Sequence, residues 1–397
     1  MPRLWAGIDA GKTHHHCVVI DEEGNRYLSR RFANTEADIL NLLGDVAEVA
    51  AGDQLLWATD LNHGGAGLMR AVLADHGQTL CYIPGQAMHH ASHTYRGEAK
   101  TDAKDASIIA DQARIRRDLE PIRTPDDITA ELKILSTRRA DLVHDRTRAV
   151  NRLRSLLLNY FPGLESAFDY AATKAPLVLL TRYQTPSAIR SVGQRRLTGW
   201  LQKQSCRMPA QLAIKALEAA DGQLTVVPGE AAAAELVGKI AIDLLRLREE
   251  LLKLDAQIEA RLPHHPFAQA LLTIPGFGHR LVADFLASTG SDLSAFGTAD
   301  RFASYAGLAP APRDSGKISG NHHRPRRFDR RLMNACYLAA FVASTNCPVS
   351  AAYYARKRQQ GKNHKQAIIA LARRRMNVIW AMLRDGTNFT PGTPILT

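Results

Sequence analysis

Strand-like runs in this chain are confined to its first 83 residues, and from Asp126 onward every strong apolar pattern is helical. Leu4 to Asp9, Cys17 to Ile20 and Arg26 to Phe32 read as three short strands, with Glu23-Gly24-Asn25 as the turn between the second and third. Glu36 to Ala51 then carries apolar residues at helical spacing. Leu55 to Thr59 is a strand, Leu68 to Asp75 a helix, and Leu80 to Ile83 a strand closed by Pro84-Gly85. A chain built this way must put a mixed sheet first and a helical body after it.

Three meander strands followed by helix, strand, helix, strand and helix is the element order of a ribonuclease-H-like α/β domain, although many α/β domains begin in a similar way. The helical part opens with a cap-like signal at Thr124-Pro125-Asp126-Asp127 and runs through Leu132, Ile134, Leu142, Val150, Leu153 and Leu157 to Tyr160. An Ala- and Gln-rich stretch follows, with no clear pattern. Val237, Ile240, Leu244, Leu247, Leu251, Leu254 and Ile258 then alternate steps of three and four, a coiled-coil seam flanked by Arg246, Arg248, Glu249, Glu250 and Lys253. This seam is satisfied equally by pairing between chains or by antiparallel pairing within one. The predicted fold class is therefore α/β plus α: an N-terminal ribonuclease-H-like domain over 1–125, a helical linker and coiled coil over 126–262, and a mainly helical C-terminal domain over 263–397.

Within that last region Ile274-Pro275-Gly276-Phe277-Gly278 leads into an apolar helix from Leu281 to Ser288. A turn of this kind exposes backbone N–H groups at a helix start, where a phosphate can be held without reading sequence. Taken singly, a plain turn accounts for it equally well.

Charge separates the same regions. Residues 301–397 hold seventeen Lys and Arg against three Asp and Glu, whereas the first 300 residues are almost neutral, so the net +12 belongs to the last quarter. A basic segment of this kind points to a polyanion partner docked by one region. No apolar run approaches the ~20 residues that span a bilayer, and the start MPRLWAGIDAGK lacks a secretory apolar segment, so a cytoplasmic protein with no membrane partner is expected. Cys17, Cys81, Cys206, Cys336 and Cys347 are odd in number and scattered, which argues against a disulfide framework or zinc ribbon.

Four acids occupy informative places. Asp9 ends the first strand, Asp60 follows the strand Leu55 to Thr59, and Asp102 and Asp105 open a helix in Lys100-Thr101-Asp102-Ala103-Lys104-Asp105. Their i, i+3 spacing puts the last two on one helix face. In the sheet order expected, the four can converge, and such a set repels itself unless divalent cations fill it; hard oxygen ligands suit Mg²⁺, with Mn²⁺ as its substitute. Each acid also has an ordinary reading, a turn former at a strand end or, for Asp102, a helix cap. Gly11-Lys12 lacks the spacing of a phosphate loop. His14, His15 and His16 alternate faces on a strand, which suits a solvated strand or turn better than a metal site.

The second constellation is Gly307-Leu308-Ala309-Pro310-Ala311-Pro312-Arg313-Asp314-Ser315-Gly316-Lys317, followed by Arg324, Arg326, Arg327, Arg330 and Arg331. Ser315 sits on a basic loop whose cations can hold phosphates. A plain serine hydroxyl is a poor nucleophile without help in losing its proton, and from spacing alone it reads as a loop residue. Arg356, Lys357, Arg358, Lys362, Lys365, Arg373, Arg374 and Arg375 add charge, part of it an ordinary solvated helix face.

The Gly-Ile-Asp-x-x-Lys start, the Lys-Thr-Asp-x-x-Asp-Ala block and the distal Ile-Pro-Gly-x-Gly, Tyr-Ala-Gly-Leu-x-Pro and Ser-Gly motifs together resemble the insertion-sequence-110 family of DEDD transposases. The resemblance covers the N-terminal domain and residues 271 to 390 in the family's order, with a coiled coil between; residues 160 to 230 carry none of it. It implies a RuvC-like domain whose metal-binding acids fall on Asp9, Asp60, Asp102 and Asp105, and a C-terminal domain whose catalytic serine falls on Ser315. Asp60 stands where the family usually has Glu, one methylene longer. The resemblance further implies a guide RNA from the element's own ends, which pairs with donor and target DNA, and a homo-oligomer, dimer or tetramer, that exchanges subunit parts.

On this reading the chain is a recombinase that cuts and rejoins DNA through a serine–phosphate intermediate assisted by Mg²⁺, with Arg313, Lys317, Arg324, Arg326, Arg327, Arg330 and Arg331 on nucleic acid. A metal-dependent nuclease or junction resolvase using water, and a non-catalytic nucleic-acid scaffold, are the competing expectations.

Overall fold

The computed structural model describes residues 4–61, 64–95, 101–119, 121–122, 126–316, 319–323 and 325–390. The chain divides into two compact units, Met1–Pro125 and Asp126–Thr397.

The first unit runs β1 (Leu4–Ala10), β2 (His14–Ile20), β3 (Arg26–Ala33), α1 (Glu36–Ala50), β4 (Leu55–Thr59), α2 (Gly67–Asp75), β5 (Leu80–Tyr82), α3 (Gly85–Ser92) and α4 (Asp102–Ile115). Its five strands lie in the order β3-β2-β1-β4-β5. β1 pairs antiparallel with β2 and parallel with β4, so the hairpin strands and the crossover strands meet at β1. Successive side chains on a strand point to opposite faces, and both faces are covered. Leu4, Ala6 and Ile8 pack with Trp57 against Ile39, Leu42 and Val46 of α1 and Met69 and Leu73 of α2. Trp5, Val18 and Ala58 pack on the other face against Met88 of α3 and Ile108 and Ile109 of α4. Expected and observed elements agree here to within one to three residues, because each strand is apolar on both faces or is bounded by turn residues.

The histidine run departs from the expected solvated strand. His14 is exposed, but His15 is buried against Phe32, and His16 is half-buried with Nε2 2.9 Å from Ser29 Oγ. The reason is β2's position inside the sheet: its alternate side chains enter opposite packed layers.

The second unit is almost wholly helical: α5 (Asp127–Tyr160), α6 (Pro162–Ala167), α7 (Ala175–Leu180), α8 (Pro186–Lys203), α9 (Pro209–Asp221), α10 (Glu230–Arg261), α11 (Ala268–Leu272), α12 (His279–Thr289) and α13 (Ala299–Tyr305). A two-stranded hairpin of β6 (Ala311–Pro312) and β7 (His322–His323) follows, then α14 (Arg330–Asn346), α15 (Pro348–Gln359) and α16 (His364–Asp385). Asp126 caps α5 by accepting from the Thr129 amide at 2.8 Å; Thr124 and Pro125 of the expected cap lie outside the described residues.

α10 resolves the pairing question left by its heptads. It runs antiparallel to α5 of its own chain: Glu131 pairs with Arg261, Arg139 with Asp255, and Leu142 packs on Leu247 and Leu251. Leu153 and Leu157 of α5 and Val237 and Leu244 of α10 enter a core completed by α6 to α9 through Leu164, Leu179, Leu180, Leu197, Leu201 and Leu212. The opposite ends of α5 and α10, Leu132 and Ile258, enter a separate core built on α12, α14 and α16. Among the described residues no single helix is long and apolar enough to cross a membrane.

Candidate active-site residues and their surroundings

The strand alternation that puts Ile8 into one core turns Trp5, Gly7 and Asp9 toward the other face, the one α4 covers. By the same rule Ala58 points Asp60 to that face, and Val18 points His16 there. Ile8 is registered with Thr59, the last pair of the two adjacent parallel strands, and Asp9 and Asp60 each follow directly in the chain. α4 lies directly on β1: a Cβ on Gly7 would overlap the Ala106 carbonyl oxygen and stand 2.8 Å from the Cα of Ala110. Asp105 immediately precedes Ala106, so this contact brings the start of α4 to the strand ends.

Electrostatics follow the geometry. Burial pushes the Asp60 carboxyl above its ordinary range, and the charge of Asp105 pushes it further, against the pull of the Ala10 and Asp60 amides. One Asp60 oxygen, Oδ1, is buried without a hydrogen-bond partner among the described residues. Asp102 is exposed and its charge is felt by His16, whose imidazole is held below its usual range chiefly by burial. Asp102 is not the helix cap. Thr101 takes that role, accepting from the Lys104 amide at 3.2 Å, which leaves Asp102 in the first turn with a carboxylate favourable to the helix dipole.

Among the described residues no three His, Cys, Asp or Glu side chains stand close enough together to hold one ion. The donor chemistry nevertheless fits a hard cation. All four acids are carboxylates, two are coupled by like charge, and the orphaned Asp60 oxygen has a lone pair with nothing to accept. His16, which sequence spacing did not group with the acids, stands opposite Asp9 in the strand register.

Ser315 lies in the other unit, exposed, in the loop of the β6–β7 hairpin. That loop is closed by its neighbours: the Arg313 amide donates to the Asn321 carbonyl at 2.8 Å, and the Asn321 amide donates to Asp314 Oδ1 at 2.9 Å. Gly316 next to the serine has φ +51°, a left-handed conformation that suits glycine. Arg313, Arg326, Arg327 and Arg330 are exposed. Arg331 is half-buried, donating to Thr137 Oγ1 of α5 at 2.7 Å, and its charge is felt by the half-buried Asp284. Lys317 and Arg324 lie outside the described residues.

The Pro-Gly-x-Gly turn owes its first glycine to packing. Gly276, at φ +88°, lies so close to α14 that a Cβ would overlap the Ala339 carbonyl oxygen. Gly278 is the exposed residue at the start of α12, and no side chain caps that helix.

Comparison with known proteins gives the class. Residues 6–162 match a DEDD transposase family model of the IS110 type, described as a transposase, and residues 268–355 match a model described as "Transposase IS116/IS110/IS902 family". The chain is 53% identical to the 42 kDa protein of insertion element IS900 from Mycobacterium paratuberculosis, over 98% of each chain. It is 46% identical to the 44.8 kDa protein of insertion element IS116 from Streptomyces clavuligerus, over 99% of this chain and 98% of that one. A pilin gene-inverting protein of Moraxella bovis is 35% identical over 31% of this chain and 38% of its own. The chain belongs to the IS110 family of transposases.

Proposed function

We propose that this transposase cuts and rejoins DNA through a phosphoserine linkage at Ser315, with Asp9, Asp60, Asp102 and Asp105 holding Mg²⁺ or Mn²⁺. What supports the metal half is the like-charge coupling of Asp60 with Asp105, together with the close packing of α4 on β1 at Gly7 and Ala106. The strand order β3-β2-β1-β4-β5 supports the ribonuclease-H-like, RuvC-like assignment of that unit. For the serine half, the support is its exposure on a closed hairpin loop with Arg313, Arg326 and Arg327 nearby in the chain.

The exchange is balanced as follows. Ser315 Oγ loses its proton and forms a bond to the scissile phosphorus, the bond from phosphorus to the departing strand's oxygen breaks, and that oxygen keeps the electron pair and takes up a proton. A hydroxyl of the incoming strand then attacks the phosphoserine, and the serine leaves in the reverse sense, so the phosphodiester energy is conserved. A hard cation on the carboxylates would polarise the phosphate and ease loss of the serine proton. The arginines neutralise phosphate charge and fix the strand. Asp60, shorter than the glutamate usual in the family, retains the carboxylate that this role needs. A guide RNA from the element's ends and a dimeric or tetrameric assembly belong to the same proposal and rest on the family alone.

The test uses the full-length protein, with any RNA that co-purifies, and DNA carrying the element's ends. The wild type is expected to yield a detergent-resistant protein–DNA adduct that Ser315→Ala abolishes, and Asp9→Ala is expected to abolish cleavage. Strand cleavage retained by Ser315→Ala, with no adduct in the wild type, would replace this reading with hydrolysis by water. Sequencing the co-purified RNA tests the guide: a specific species mapping to the element's ends is expected.

A further inference from the structure

Away from the acids and the serine loop, the second unit holds a cavity of about 330 Å³ at the junction of α15, α16 and the Ile274-Pro275 turn. This size is at the lower end of the ~300–1,000 Å³ usual for small-ligand sites. Its polar side is unusual. Arg356, Arg374 and Arg375 all line it, and among the described residues no Asp or Glu does. Arg356 and Arg374 both sit over the ring of Tyr353, 5.1 and 5.0 Å from its centroid, with Lys357 at 5.4 Å. Four cations thus gather around one cavity and one ring.

Arg375 is the decisive residue. It is only 6% exposed, its guanidinium donates to the Pro275 carbonyl and to Ser350 Oγ, and its Nε is buried with no partner among the described residues. A buried guanidinium with neutral acceptors alone and one N–H unmet is costly, and an anion in the cavity would remove that cost. Cys347 stands beside it at the N-cap position of α15, so the positive end of that helix adds to the field. Burial alone would push the Cys347 thiol up; hydrogen bonds at Ser350 and the charge of Arg375 outweigh it and hold the thiol below its ordinary range, the response of an anion to this field. The remaining wall is apolar, with Ile274, Val349 and Phe389.

We infer that this cavity receives a single nucleotide of a DNA strand, its phosphate at Arg374 and Arg375 and its base against the apolar wall by Phe389. A phosphate joined to a planar aromatic base, whose faces stack on apolar walls, is the chemistry that matches both sides of the cavity, and DNA is the substrate class of the family. The inference rests on that substrate class and not on Ser315 or the four acids, and its readout involves no cleavage.

Cys347 reports occupancy directly. The full-length protein is treated with iodoacetamide, and the alkylation of each cysteine is followed by peptide mass spectrometry, with Cys206 as the internal control. The probes are a 5′-phosphorylated single-stranded DNA pentamer, the same RNA pentamer, deoxyadenosine 5′-phosphate and inorganic phosphate. With the DNA pentamer at ten times its dissociation constant, Cys347 alkylation should slow about ten-fold while Cys206 is unaffected. The mononucleotide should protect at higher concentration and phosphate should not. Val349→Trp, which fills the cavity from a half-exposed position, should lose the protection and keep the thermal midpoint. Absence of protection, equal protection by phosphate, protection by the free mononucleotide but not the pentamer, stronger protection by RNA, or protection surviving in Val349→Trp would each overturn the assignment.

Discussion

Gly7 in the first strand and Ala106 in α4 meet backbone to backbone, with no room between them for a methyl group. The approach is what lets a helix lie flat across the strand that carries Asp9, and it sets the height at which Asp105 stands over Asp60. Gly7→Ala must therefore lift α4. Overpacking of this kind costs about 1–3 kcal/mol, and a fall in thermal midpoint with loss of recombination is expected. An unchanged midpoint and full activity in this variant would show that α4 can shift without harm.

The burial of Asp60 fixes the sign of a pH effect. Its folded pKa is raised, so the folded chain binds this proton more tightly than the unfolded chain. Stability from this group is therefore lost as pH rises from the ordinary aspartate value of 3.8 through the raised one. Without divalent cation, Asp60→Asn should be more stable than the wild type at neutral pH and lose that advantage in acid. Added Mg²⁺ should raise the wild-type midpoint and leave that of Asp60→Asn almost unmoved, while the variant loses DNA strand exchange. Denaturation measured at several pH values, with and without Mg²⁺, checks both parts.

Asp255 ties three helices together. From α10 it accepts from Arg139 Nε of α5 at 2.6 Å and from Arg280 of α12, and its side chain is 16% exposed. Asp255→Ala leaves two guanidiniums facing each other across its place. Since Arg280 is more than half exposed, screening limits the cost to about 1–2 kcal/mol. Urea denaturation should register that loss, and Arg280→Ala alone should cost less.

Arg326 and Arg327 are exposed between the hairpin and α14. If each neutralises one phosphate, the double substitution to Ala should weaken DNA binding without regard to sequence. It should also flatten the plot of log affinity against log salt by about 1.8 units, roughly 0.9 for each phosphate no longer neutralised. Arg331→Ala should leave that slope unchanged and lower thermal stability, because Arg331 is engaged with Thr137. Binding titrations over a salt series separate the two.

Much of this was legible in residue order. The strands of the first unit end where turn residues stand, so their bounds and the positions of Asp9 and Asp60 beside them could be read directly. The heptads of α10 likewise announced a long paired helix. What residue order could not choose was the partner, since the same apolar seam satisfies a second chain or a second helix; in the fold the seam lies along α5 of the same chain, with Glu131 at Arg261 and Arg139 at Asp255. The helices between Tyr160 and Glu230 were harder to read: α6 and α7 have only six residues each, α8 is broken at Gly193, and their apolar residues have meaning only around the core shared by α5 and α10.

The amino-acid sequence by itself determined which chemistry the chain can carry: carboxylates at strand ends and at a helix start, a serine on a basic loop, and the class of protein to which its motifs belong. Tertiary structure alone decided which side chains face one another. It set His16 on the same sheet face as Asp9, engaged Arg331 with Thr137 of α5, spent Gly276 on helix packing and buried Arg375 without an acidic partner among the described residues. The physical reason is that burial and direction depend on residues distant in the chain. A guanidinium reads as a surface charge in any local window, and only the walls brought around it by α15 and the Pro275 turn deprive it of water.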